Sequence, residues 1–197
     1  YQSMEEAIGQ LDQILRLSNE KNTFLISSPM VAPAFFAGRE TELYDLGKLL
    51  GTQDRHIFSL NGMGGIGKST LVRAYLASHR GDYDAVLWLY DNGNTRKMIG
   101  DDIAVRISTI SRMKDESLED YLPRKMKALA EIASQQHVLV VIDNVLPEHL
   151  NDLGLILNIG WEVLLISRAV LPEGLYPSLT VGEMEMEALE MLFARYA

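Results

Sequence analysis

Eight residues, GMGGIGKS at positions 62–69, combine glycine, lysine and serine at a spacing suited to binding phosphate. They match the pattern G-x-x-x-x-G-K-[ST], and they follow an apolar run and precede a helical pattern, the context in which that motif is meaningful. Glycines let backbone N–H groups turn towards phosphate oxygens without steric clash, and the first amides of the next helix point the same way. The stretch predicts a phosphate site formed by Gly62, Gly64, Gly65, Ile66, Gly67, Lys68, Ser69 and Thr70.

The side chains that end this stretch suit a nucleoside triphosphate and its metal ion. Lys68 offers a mobile ammonium to the β- and γ-phosphates, Ser69 offers a hydroxyl to Mg²⁺, and Thr70 is placed to contact the α-phosphate. Asp143 ends the apolar run VLVVID at 138–143, so in a parallel sheet its carboxylate is expected at the edge that carries the phosphate loop. We therefore predict Ser69 and Asp143 as magnesium ligands.

Short apolar runs predict the strands that position these residues. Near-continuous apolar runs are typical of strands covered on both faces, and they occur at HIFSL (56–60), AVLWLY (85–90), VLVVID (138–143) and EVLLIS (162–167), with SLTV (178–181) as a weaker fifth. Helical patterns lie near 40–50, 68–80, 97–111, 118–135, 147–157 and 183–196. This alternation predicts an α/β fold, a P-loop three-layer sandwich with a mostly parallel five-stranded sheet.

The amino-terminal part of the chain differs from the rest. Residues 3–19 carry apolar side chains at helical spacing, which predicts a packing helix or, alternatively, the end of an upstream effector domain. Residues 22–37 contain two prolines and predict an extended linker. We expect residues 1–34 to form this helix and linker and residues 35–197 to form the nucleotide-binding domain. The chain starts at Tyr1 and stops within an apparent helix, so we expect it to be a piece of a longer protein.

Composition restricts the partners that this segment can have. The 197 residues include 18 Lys and Arg against 27 Asp and Glu, a formal net charge of −9, which argues against direct binding of a nucleic-acid backbone. The chain has no cysteine, hence no disulfide framework or thiolate metal site. The apolar runs are too short to span a bilayer, and no signal segment opens the chain. We therefore expect a cytoplasmic protein with no membrane partner.

Several motifs in order resemble a known family. FFAGRETEL (35–43) resembles the hhGRExE signature of the STAND NTPases, the group that contains the NB-ARC proteins of plant and animal immunity and many bacterial sensors. Four further stretches resemble motifs of that group: the phosphate loop in GMGGIGKSTL, the acid strand in VLVVIDNV, the sensor strand in EVLLISR and the Leu-rich helix in EMEALEMLF. The resemblance covers residues 35–196 and is that of an NB-ARC-like domain, with a bacterial NLR-like protein as the expected source.

The resemblance implies roles for further residues. Phe36, Gly38 and Arg39 would lie against the adenine and ribose, which favours ATP over GTP, and the chain has no N-K-x-D stretch for guanine. Arg168 would reach the γ-phosphate, which makes Lys68, Asp143 and Arg168 the candidate catalytic residues. Family members that hydrolyse ATP quickly often carry a second acidic residue directly after the one at the position of Asp143.

The chain has Asn144 at the position of that second acid. An amide can hold a water molecule but cannot accept its proton, so we predict slow hydrolysis. Glu148 and His149 lie just downstream and are candidates to accept the proton instead, although both suit a solvated helix start.

The resemblance implies a regulatory ATP/ADP switch with Mg²⁺, in which nucleotide exchange drives homo-oligomerisation. Its partners would be an unseen upstream effector and a downstream sensor, and its output defence or transcription. Two alternatives remain open. One is a catalytic P-loop ATPase or kinase, although the chain has no LSGGQ-like stretch. The other is a nonhydrolysing nucleotide-binding module. Fast turnover would indicate an enzyme, slow turnover with tight ADP a switch, and no turnover a binding module.

Overall fold

A computed structural model describes residues 25–29, 31–52, 56–172 and 176–196 of the chain. The helix predicted over residues 3–19 lies outside the described residues. Within them, no helix is both long enough and apolar enough to cross a bilayer.

The central feature is a five-stranded sheet in which every neighbouring pair of strands is parallel. Its strands are β2 (Ile57–Asn61), β3 (Ala85–Tyr90), β5 (Val138–Val145), β6 (Glu162–Ser167) and β7 (Ser178–Thr180), in the spatial order β3-β5-β6-β2-β7. The predicted strands are confirmed, including the weak fifth one. Because β2, β6 and β5 lie side by side and run the same way, their carboxyl ends meet at one edge of the sheet.

A second, antiparallel pair lies beside this sheet. It joins β1 (Leu25–Ile26) to β4 (Arg106–Ile107). Directly after β1, the Ser28 N–H donates to the Val86 carbonyl at 2.8 Å, so the segment predicted as an extended linker runs along the outer edge of β3. This pairing covers part of an edge that would otherwise offer unpaired backbone groups.

The described part of the chain contains six helices. They are α1 (Glu40–Leu50), α2 (Lys68–His79), α3 (Thr95–Gly100), α4 (Leu118–Ala133), α5 (Gly154–Leu157) and α6 (Met186–Tyr196). The helices predicted near 40–50, 68–80, 118–135 and 183–196 are confirmed.

Two predicted helices are much shorter than expected. The helix predicted over 97–111 ends at Gly100, because Asp101 turns extended and its carboxylate accepts from the Ile103 N–H at 2.7 Å. The region predicted as a helix over 147–157 holds a 3₁₀ turn at Pro147–His149 and only the four-residue α5. The local hydrogen bond of the Asp101 side chain competes with continuation of the first of these helices.

The core has two layers, one on each face of the sheet. Along β5, Leu139 and Val141 face the layer formed with α1 and α2, whereas Val140 and Ile142 face the layer formed with α3, α4 and α5. This alternation is the period of two expected for a strand buried on both sides. The predicted three-layer α/β sandwich is therefore confirmed, and Trp88 and Trp161 are buried within it.

A buried ion pair fixes the long connection that follows α3. The Lys125 ammonium, on α4, is completely buried and lies 2.7 Å from a carboxylate oxygen of Asp102. The Tyr121 hydroxyl donates to the same carboxylate, and the Arg112 N–H donates to its other oxygen at 2.7 Å. Burial opposes ionisation of Asp102, but these hydrogen bonds outweigh it and hold the pKa of that carboxyl below its usual range.

Candidate nucleotide-binding site

The glycine loop connects β2 to α2 at the carboxyl edge of the sheet. Gly62 has φ 148°, and a Cβ there would lie 2.6 Å from the Val181 carbonyl oxygen, so only glycine allows this approach. Gly65 and Gly67 have φ 78° and 101°, and a Cβ on either would meet nothing within 4 Å. The space beside these two glycines is open, and their positive φ is the backbone that lets the amides of such a loop turn towards an anion.

Lys68, the first residue of α2, curls back over this loop. Its ammonium donates to the Gly62 carbonyl at 2.6 Å and to the Met63 carbonyl at 2.8 Å. Burial lowers the pKa of Lys68, the Asp143 carboxylate opposes that effect, and the nearby positive charge of Arg168 adds to it. Two cations close together in a largely acidic chain make this a local site for a multiply charged anion.

Ser69 and Asp143 are brought together as predicted. The Ser69 hydroxyl donates to Asp143 Oδ2 at 2.8 Å, and Asp143 Oδ1 accepts from the Asn144 N–H at 2.8 Å. The carboxylate is largely buried at the end of β5. A hydroxyl and a carboxylate beside a phosphate cradle are the oxygen donors that Mg²⁺ takes from proteins, with phosphates and water completing its shell, so these residues fit a magnesium ion.

A cavity of about 340 Å³ contains these groups. Arg168, directly after β6, lines it beside the loop: a Cβ on Gly64 would lie 3.6 Å from Arg168 Nε. Asn144 also lines it and has φ 62°, a left-handed backbone that Asn tolerates better than most residues. The sequence-predicted Lys68, Asp143 and Arg168 therefore share one cavity, which Asn144 also lines.

Tyr90 also lines this cavity, although the sequence pattern did not predict it there. Tyr90 ends β3 in register with Asp143, lines the cavity and is 58% exposed. The Arg73 guanidinium, on α2, lies over the Trp88 ring, and its Nη2 is 3.5 Å from the Tyr90 hydroxyl. The available signal was that Tyr90 is the last residue of a buried parallel strand, the position from which ligand contacts usually come.

A second cavity of about 520 Å³ adjoins the first, and Gly65, Gly67 and Thr70 line both. One wall comes from the segment before α1 and from the loop, through Phe35, Phe36, Ala37, Arg39 and Ile66. The other wall comes from the segment around the start of α6, through Glu183, Met184, Met186 and Leu189. An apolar cavity next to a phosphate cradle has the place and lining expected for a nucleoside base.

Arg39 and Gly38 lie in the segment before α1, and Arg39 lines the second cavity. Arg39 is buried, pairs with Glu42 and donates to the Ile66 carbonyl at 3.3 Å, so its guanidinium braces the phosphate loop. Gly38 has φ 72°, and a Cβ there would lie 2.1 Å from the Ala188 Cβ. Glycine at this position lets the segment before α1 pack directly against α6.

This arrangement defines the class of protein. A parallel α/β sheet, a glycine loop leading into a helix that begins with Lys-Ser, and an aspartate hydrogen-bonded to that serine are the features of a P-loop NTPase. The NB-ARC domain family matches residues 40–171, two thirds of the chain. The chain therefore belongs to the NB-ARC family and is a nucleotide-binding P-loop module.

Individual relatives agree with this assignment. A disease resistance protein of Arabidopsis thaliana is 32% identical over 142 residues, which cover 68% of this chain and 15% of that protein. The ORC1 protein of Aeropyrum pernix, solved in complex with DNA, has a TM-score of 0.54 and 21% identity over 83% of this chain and 50% of that chain. A DNA replication initiation factor has a TM-score of 0.50 and 10% identity, covering 87% and 55%. The two solved structures show a shared fold.

Proposed function

We propose that this domain is an ATP/ADP switch of a larger cytoplasmic signalling or defence protein. It hydrolyses ATP slowly, and exchange of ADP for ATP drives self-association. Residues 1–34 would connect it to an upstream effector, and a sensor would follow residue 197. The division at residue 34 and both flanking domains belong to the proposal.

The observation that carries nucleotide binding is the hydrogen bond between Ser69 and Asp143 beside the Lys68 ammonium. It joins the start of α2 to the end of β5, and it places a hydroxyl, a carboxylate and a cation around one cavity. Lys68 and Arg168 would hold the phosphates, and Ser69 and Asp143 would hold Mg²⁺, which neutralises phosphate charge when bound.

The second cavity supports adenine as the base. Its walls are mainly apolar, and Phe36, Ile66 and Met184 offer surfaces against which a purine ring packs. The Arg39 guanidinium is occupied by Glu42 and the Ile66 carbonyl, so its contribution to binding is to hold the loop. Together with the absence of an N-K-x-D stretch, this lining supports ATP over GTP.

Slow hydrolysis is supported by the residues that line the first cavity, the phosphate cavity, in which the phosphates would lie. Asn144 lines it, and an amide can orient water without accepting a proton. His149, a candidate substitute base, lies outside the cavity lining and has its Nδ1 bonded to Asp91 at 2.7 Å. Phosphoryl transfer then depends on positioning and charge alone, which permits a low rate.

The switch itself is supported by the position of the second cavity, the base cavity, in which the nucleoside base would lie. Its two walls come from the segments on either side of the domain, residues 35–39 and 183–189, which touch at Gly38 and Ala188. A nucleotide in this cavity would contact both segments at once, so its phosphate state can bias their arrangement.

Nucleotide content and turnover test the proposal. Purified protein is denatured, and the released nucleotide is identified by chromatography; near-stoichiometric ADP and slow multiple turnover are expected. Lys68→Ala should lose bound nucleotide, whereas Lys114→Ala, which removes an exposed lysine far from the cavity along the chain, should retain it. Unchanged ATP and ADP affinity in Lys68→Ala would contradict nucleotide binding at this loop. Fast turnover by empty protein would contradict the switch.

A further inference from the structure

One carboxylate near the phosphate cavity serves no role in the proposed binding scheme yet makes several hydrogen bonds. Asp91 directly follows β3, and its side chain is only 2% exposed. Its Oδ1 accepts from the Gly93 N–H at 2.9 Å, and its Oδ2 accepts from the Leu146 N–H at 3.2 Å. The same Oδ2 lies 2.7 Å from His149 Nδ1, which must donate because a carboxylate only accepts.

These bonds span the corner that carries the metal ligand. The Asp91 N–H donates to the Asp143 carbonyl at 2.9 Å, so Asp91 holds the chain at Asp143 through its backbone. Through its carboxylate it holds the chain again at Leu146 and His149. Asn144, with its left-handed backbone, lies between these two attachments. Asp91, whose side chain is buried, therefore fixes the chain on both sides of Asn144 at the irregular carboxyl end of β5.

The His149 ring is held by a second contact. Gly93 has φ 71°, and a Cβ there would lie 3.0 Å from both Cε1 and Nε2 of His149. The ring thus packs on the glycine backbone, with Nδ1 directed at Asp91. The hydrogen bond to Asp91 raises the pKa of His149, which agrees with a tight pairing. Because His149 does not line the phosphate cavity, any effect it has on bound nucleotide acts through Asp143 and Asn144.

We propose that Asp91 and His149 form a clasp that positions Asp143 and Asn144 for a magnesium-bound nucleotide. This inference rests on the proposed function, since it assumes that Asp143 holds Mg²⁺. Both residues are positioning residues. Loosening the clasp would turn the Asp143 carboxylate away from Ser69, which would weaken the contribution of Mg²⁺ to ATP affinity. It would leave metal-free binding by the loop unchanged, because the glycine amides lie in the loop between β2 and α2 and Lys68 lies on α2, away from the clasp.

The test compares ATP affinity with Mg²⁺ and with EDTA, measured by calorimetry on the 197-residue chain. His149→Ala should reduce the ratio of these affinities about tenfold, the usual effect of losing a residue that orients a metal ligand. His149→Asn should restore it, because the Asn amide places an N–H close to the position of Nδ1. His137→Ala is the matched control: it removes a histidine 3.0 Å from a carboxylate, Glu162, at the opposite edge of the sheet.

A second readout does not require nucleotide. Amide hydrogen exchange at Asn144 and Leu146 should be faster in His149→Ala than in the wild type and close to wild type in His149→Asn. If His149→Ala does not fold, Asp91→Asn replaces it, since this change keeps the shape of the side chain and removes its charge.

Two results would overturn the clasp. One is an unchanged affinity ratio in His149→Ala, which includes an equal loss of affinity with Mg²⁺ and with EDTA. The other is failure of His149→Asn to restore the ratio. A wild type that binds no ATP would instead contradict the proposed function, and amide exchange at Asn144 would then decide on the clasp.

Discussion

Individual side chains at this site combine opposing physical effects. Burial of the Lys68 ammonium lowers its pKa. Two loop carbonyls that accept its hydrogen bonds and the nearby Asp143 carboxylate stabilise its charged form. Asn144 occupies a left-handed backbone that most side chains avoid, and it lines the cavity that holds Lys68 and Asp143. At this scale, residue type decides both the conformation of the corner and the chemistry that it permits.

Asn144→Asp should speed ATP hydrolysis. Aspartate also tolerates the left-handed backbone and adds a carboxylate that can accept a proton from water, so we expect turnover to rise about tenfold or more. Single-turnover and steady-state assays with Mg²⁺ measure this change. Turnover equal to that of the wild type would show that the missing acid does not limit the rate.

Asn144→Ala should destabilise the fold through the backbone alone. An alanine at φ 62° loses the local tolerance of Asn, at a cost of about 1 kcal/mol in the free energy of unfolding. Asn144→Gly is the control, because glycine adopts positive φ without this penalty. Chemical denaturation of the nucleotide-free protein measures both variants. A larger loss in the glycine variant would contradict a backbone origin.

Secondary-structure elements meet at two contacts that sequence patterns do not mark. The segment before α1 reaches α6 at Gly38, where no side chain fits, and the connection after α3 is fixed to α4 by the buried ammonium of Lys125. The first contact depends on Gly38 and the second on Lys125, and each holds a segment that has little regular structure of its own.

Gly38→Ala should separate the segment before α1 from α6. The added Cβ would lie 2.1 Å from the Ala188 Cβ, and φ 72° adds backbone strain, so one of the two segments must move. Because both segments line the base cavity, we expect ATP affinity to fall about tenfold, or about 1.4 kcal/mol. Gly81→Ala is the control, since a Cβ there meets nothing within 4 Å. Equal affinities in both variants would show that this contact does not shape the cavity.

Lys125→Ala should destabilise the protein far more than removal of an exposed lysine on the same helix. Breaking a buried pair costs about 3–5 kcal/mol, and we expect the lower end because the Asp102 side chain is 30% exposed and regains some solvation. Lys127→Ala provides the comparison, since Lys127 is 80% exposed and 4.0 Å from Glu131; its loss should cost at most about 0.5 kcal/mol. Urea denaturation distinguishes these values.

At the scale of the whole molecule, the strand order concentrates positive charge in an acidic chain. The formal net charge is −9, yet Lys68 and Arg168 share one cavity because β2 and β6 are neighbours. The base cavity then continues from that point to the segments at residues 35–39 and 183–189. A nucleotide would thus touch the phosphate loop and both flanking segments.

Nucleotide should therefore stabilise the entire domain. A ligand that binds only the folded state adds about 2.7 kcal/mol at a concentration one hundred times its Kd. For a domain of this size that corresponds to a rise in Tm of about 5–10 °C. Differential scanning fluorimetry with ADP and Mg²⁺ measures the rise, which should vanish in Lys68→Ala. A rise that persists in that variant would indicate binding elsewhere.

The sequence by itself determined the features that depend on local pattern. The glycine loop, Lys68 and Ser69 are adjacent along the chain, and the strands are apolar runs whose burial is encoded by their composition. Asp143 was predictable because parallel strands present their last residues at the same edge.

Only the tertiary structure decided the features that depend on which distant segments become neighbours. The strand order placed Tyr90 beside Asp143 and brought Asp91 to His149, and the packing of α6 gave Gly38 its contact with Ala188. The helix predicted over 97–111 was too long for a local reason, and the one predicted over 147–157 for a tertiary one. Apolar spacing there reports burial, whereas hydrogen bonds made by Asp101 and Asp91 stop or redirect the backbone. Hydrophobic periodicity records whether a residue is buried but not its partner, and partners set the geometry of a site.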